Sequence, residues 1–70
     1  MTDVPAWTGE GQLWKNLSVY RDGSSVRCVL SNSTIGYIQD RVIPLPDGTD
    51  IPEAIREVQR IDLLTYNELD

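Results

Sequence analysis

Cys28 is the one thiol in a chain of 70 residues, and no histidine accompanies it. Histidine is the commonest general base and the usual activator of serine and cysteine nucleophiles, so the familiar covalent mechanisms lack their partner residue. Cys28 also alternates with Val26 and Leu30 on what reads as an apolar strand face. Such a setting keeps a thiol protonated and inert. A single cysteine excludes an intramolecular disulfide, and without histidine the common structural zinc sites cannot be assembled. Ser24, Ser25, Ser31 and Ser33 fall in turn-like sequence, and Lys15, the only lysine, gives no sign of a Ser–Lys dyad. Gly9-Glu10-Gly11 is no phosphate loop, because no strand is expected before it and no P-loop lysine follows.

Carboxylates are the remaining chemical resource. Asp47 and Asp50 flank Gly48 in Pro46-Asp47-Gly48-Thr49-Asp50. A calcium loop of the EF-hand type needs a bidentate glutamate at its twelfth position, and counting from Asp47 that position is Val58. Turn formation and helix capping account for both aspartates. A chain this short also has little wall from which to build a substrate cleft. The expectation is therefore a protein that is not an enzyme and holds neither metal nor cofactor.

Contact with another macromolecule is the class that remains. Net charge is −5, and it is unevenly placed. Asp3, Glu10 and Lys15 leave residues 1–20 near neutral, whereas residues 21–45 carry Arg21, Arg27 and Arg41 against Asp22 and Asp40. The final 25 residues hold Asp47, Asp50, Glu53, Glu57, Asp62, Glu68 and Asp70 against Arg56 and Arg60, and thus the whole net charge. An acidic surface of this kind suits a basic partner. The leading expectation is a non-catalytic protein-interaction module. It would bind a basic protein surface through Glu53, Glu57, Asp62, Glu68 and Asp70, with Trp7 or Trp14 as apolar anchors. Small acidic inhibitors of phage or mobile-element type and nucleic-acid mimics fit this description, as does a subunit of an assembly or homo-oligomer. The alternative is a single-stranded nucleic-acid binder that stacks bases on Trp14 and Tyr20 and meets phosphates with Arg21, Arg27 and Arg41. Six basic residues in all weigh against it. No leader and no apolar run of about 20 residues stands out, so a cytoplasmic protein outside the membrane is expected. The lone thiol fits that reducing compartment.

These residues must be positioned by short elements. Residues 1–11 carry Pro5, Gly9 and Gly11 without a sustained period and read as an N-terminal arm before a single domain at 12–70. From Gln12 to Tyr20 the chain alternates, with Leu13, Lys15, Leu17 and Val19 on one side and Trp14, Asn16, Ser18 and Tyr20 on the other. Asp22-Gly23 predicts a tight hairpin turn into a second strand over about Ser25–Ser31. Ser31-Asn32-Ser33 reads as the next turn. Thr34–Leu45 is rich in β-branched residues but loses alternation at Tyr37-Ile38, which predicts a bend, a bulge or two short strands. Asp50, Pro52 and Glu53 then open a helix whose apolar face is Ile51, Ala54, Ile55, Val58 and Ile61. Asp62 would interrupt that face, so the helix is expected to end near Ile61, with Leu63–Tyr66 extended; a helix reaching Asn67 is the competing reading. The fold class is α+β: a small antiparallel sheet of three to four strands packed by one C-terminal amphipathic helix. A small barrel of the SH3 or OB kind is the alternative.

Overall fold

The computed structural model describes residues 4–68. Four strands, β1 (Trp7–Gly9), β2 (Trp14–Asp22), β3 (Ser25–Ser33) and β4 (Arg41–Leu45), precede one helix, α1 (Ile51–Glu68). The strands form an antiparallel meander in the order β1-β2-β3-β4. The sheet is open and does not close into a barrel. The stretch read as an arm therefore supplies an edge strand, with Trp7 opposite Val19 and Gly9 opposite Leu17.

The β2–β3 hairpin is the spine. Asp22 pairs with Ser25, leaving Gly23 and Ser24 as a two-residue loop. Gly23 takes φ +66°, a backbone region that costs a residue with a Cβ roughly 1–2 kcal/mol. Register then decides the faces. Leu17 opposes Leu30, Val19 opposes Cys28, and Cys28 opposes Ile43 on the far side. Side chains in these registers share one side of the pleat, and α1 packs on that side against β2 and β3. Leu17, Val19, Val26, Cys28 and Leu30 are buried against Ala54 and Val58, with Ile43, Leu45, Ile51, Ile55 and Ile61 half-buried around them. Truncating a side chain such as Leu30 to alanine in this layer costs about 2–5 kcal/mol.

One expected turn is overturned, the irregular run after it resolves to a bend, and at the end of the helix the competing longer reading holds. The turn at Ser31-Asn32-Ser33 does not form, because β3 runs through Ser33. Asn32 instead takes a left-handed backbone (φ +57°) inside the strand, and the ladder skips the Lys15–Asn32 pair between Trp14–Ser33 and Asn16–Ser31. Asparagine tolerates that conformation better than most residues, and its turn propensity is used here without reversing the chain. Of the β-branched run, only Arg41–Leu45 is a strand; Thr34–Asp40 is a loop held by Ser33 Oγ, which lies within hydrogen-bond reach of the Ile35 and Ile38 carbonyls. Finally, α1 does not stop at Ile61 but continues to Glu68.

Candidate functional site

Asp62 explains the longer helix. Its side chain is 2% exposed, yet the carboxylate is not unsatisfied. Oδ2 accepts the Gln12 N–H at 2.6 Å, and Oδ1 accepts the Leu13 and Trp14 N–H groups at 3.0 Å each. These donors lie where the chain enters β2, so the carboxylate caps the start of a strand from the middle of a helix. Gly11 makes room for it: a Cβ there would sit 2.5 Å from the Asp62 carboxyl carbon. The Gly11 N–H in turn donates to the Trp14 carbonyl at 2.9 Å, and the Thr34 N–H to the Leu13 carbonyl at 2.7 Å. Asp62 thus belongs to the fold, and its expected place on a partner-binding surface is corrected: a buried carboxylate committed to three donors presents nothing to a basic partner.

Trp14 is corrected in the same way. Trp14 is completely buried within the core cluster, so it is available neither as an anchor for a partner nor as a stacking surface for bases. Alternation assigns it to the side away from Leu17, but the break in the ladder at Asn32 and the folded-back loop bearing Ile35 and Ile38 close over this end of the sheet. Its indole Nε1 is buried without a hydrogen-bond partner. Trp7 is half-buried and packs against the core; its ring lies over Gly9, where a Cβ would approach it to 2.5 Å.

Cys28 matches its expected setting. The thiol is buried and donates to the Ala54 carbonyl at 3.6 Å. Burial pushes its pKa above the ordinary thiol value, and the nearby Glu57 charge adds to the effect. Asp47 and Asp50 are exposed in the turn before α1. Asp47 accepts from Ser25 Oγ at 3.4 Å, and the Asp50 carbonyl accepts the Ala54 N–H at 2.9 Å, the first bond of the helix. Among the described residues no cluster of three or more potential ligands could hold a metal ion. No described helix is long and apolar enough to cross a membrane. A hollow of about 210 Å³ lies beside the Asp62 cap, bordered by Glu10, Gln12, Gln59 and Leu63. Because Asp62 is already committed, Glu10 is its available acid.

The arginines of the nucleic-acid alternative are not brought together. Tyr20 and Arg27 pair directly across β2 and β3 on the side of the sheet away from α1, with the guanidinium 4.7 Å from the ring centre. Arg21 opposes Val26 and Arg41 opposes Leu30, so both belong by register to the helix-bearing side. The Arg21 Nε–H donates to the Gly23 carbonyl at 3.2 Å.

The acidic residues of the helix fare differently. Glu53, Glu57 and Glu68 follow one another along one stripe of α1 at spacings that place residues on a common helix side, and Leu64 stands between the last two. Glu53 and Glu68 are exposed, Glu57 is half-exposed, and Leu64 is 48% exposed. Arg60 bonds Glu57 and holds its carboxyl below the usual range. Leu63, 48% exposed, borders this stripe on its Arg56–Arg60 side, whereas Tyr66, 45% exposed, stands one turn after the buried Asp62 and away from the stripe. Asp70, the last of the expected acids, lies outside the described residues. Leu63 and Leu64 were not anticipated as contact residues, because an extended Leu63–Tyr66 would have taken them off the helix that carries the acids. The signal that could have found them is the i, i+4, i+7 spacing Arg56-Arg60-Leu63 and Glu57-Leu64, which continues the polar side beyond Ile61. Comparison of the chain with models of known families, with curated proteins and with solved structures finds no match.

Proposed function

We propose that this protein is a non-catalytic interaction module whose contact surface is the outer side of α1, and that its partner is a protein with a basic surface. The observation that carries this reading is the exposure of Leu64 on one stripe with Glu53, Glu57 and Glu68, bordered by Leu63. Apolar anchors inside a charged rim are the anatomy of a protein interface, where the apolar centre contributes most of the affinity and the rim charges steer the approach. The partner is basic because acids outnumber bases on this side of α1: Glu53, Glu57 and Glu68 stand against Arg56 and Arg60, and Arg60 is engaged with Glu57. The anchors take the place of Trp14, which is buried in the core, and Trp7 is half-buried against it. An inhibitor of phage or mobile-element type, a nucleic-acid mimic and an assembly subunit are forms this module takes, working in the cytoplasm and without turnover.

The reading is tested by affinity capture from an extract of the source cell, comparing the native chain with Glu53→Lys/Glu57→Lys. A protein with a basic surface is expected on the native chain and lost from the charge-reversed one. Equal capture by both would remove this surface. Single-stranded nucleic-acid binding is the second reading, and the observation favouring it is the Tyr20–Arg27 pair on the side of the sheet that α1 leaves open. With Trp14 buried and Arg21 and Arg41 in the other register, it keeps two of its five residues on one surface.

A further inference from the structure

We draw no further inference here: the strongest candidate, the sheet face opposite α1 formed by Tyr20, Arg27, Val29 and the 61%-exposed Val42, carries none because nothing in the structure shows what covers it.

Discussion

At the scale of single residues, two buried groups that chemistry would single out both serve the fold. Asp62 accepts three backbone N–H groups, two of them fully buried. A buried donor that loses its acceptor costs about 1–3 kcal/mol. Asp62→Ala is therefore expected to lower unfolding stability by on the order of 3 kcal/mol or more, seen as a fall in the urea midpoint at unchanged slope. A loss under about 1 kcal/mol would mean that the three bonds are replaced by water at little cost. Cys28 gives a pH signature. Its thiol pKa is raised by burial in the folded chain, so the unfolded chain ionises first as pH rises past the ordinary value of 9.0. The folded state then holds more protons than the unfolded one, and stability falls with rising pH. Below that value both states are protonated and the burial contribution is fully present. Stability of the native chain measured against Cys28→Ala between pH 7 and 10.5 is expected to converge at the alkaline end; a constant difference would contradict a raised thiol. Both residues show how far sequence reaches. The Cys28 environment was legible, because Val26-Cys28-Leu30 alternates cleanly and strand period alone fixes the side. The Asp62 environment was not, because its partners lie 48–50 positions away and only the fold brings them near.

At the scale of elements, local rules served best where local geometry decides. The hairpin follows from Asp22-Gly23, and α1 begins at Ile51, directly after Asp50 and with Pro52 in its first turn, because turns and helix starts depend on near neighbours in sequence. The end of α1 was misplaced for the opposite reason. A charged residue in an apolar stripe is costly unless it is hydrogen-bonded. Without the β2 entry segment in view, stopping the helix is the sensible inference. The extension also alters the electrostatics of the element. With an end at Ile61, Arg60 would oppose the negative helix terminus, but with an end at Glu68 the last turn carries an acid and no base. Glu68→Lys is accordingly expected to stabilise the fold by about 0.3–1 kcal/mol at low ionic strength, an effect that salt diminishes. Thermal unfolding at two salt concentrations checks this, and a destabilised variant at low salt would contradict the terminus described. Because Glu68 also belongs to the proposed contact stripe, the same substitution is expected to weaken capture of a basic partner.

At the scale of the whole molecule, one helix on a four-stranded sheet gives two layers and a body of 37 × 24 × 16 Å. Two large surfaces follow from that architecture: the outer side of α1 and the side of the sheet that faces away from it. Their composition differs. The sheet side joins Thr8, Ser18, Val29 and Val42 in one row and Tyr20, Arg27 and Pro44 in the next, a mixture dominated by neither charge nor apolar area. The helix side sets Leu64 among Glu53, Glu57 and Glu68, with Leu63 beside Arg56 and Arg60. The α+β class and the single C-terminal helix were readable from periodicity, since period 2 gives way to period 3.6 after Pro46. The choice of contact surface was only half readable: the acids were visible, but their apolar neighbours depended on the last two turns of α1. The central claim, contact through the outer side of α1, is tested most directly by mapping backbone amide shifts of the labelled chain during titration with the captured partner. The account predicts perturbations concentrated at Glu53, Glu57, Leu63, Leu64 and Glu68, with the amides of Tyr20, Arg27, Val29 and Val42 unmoved. Perturbations confined to that second group, with the partner or with a single-stranded oligonucleotide, would contradict it.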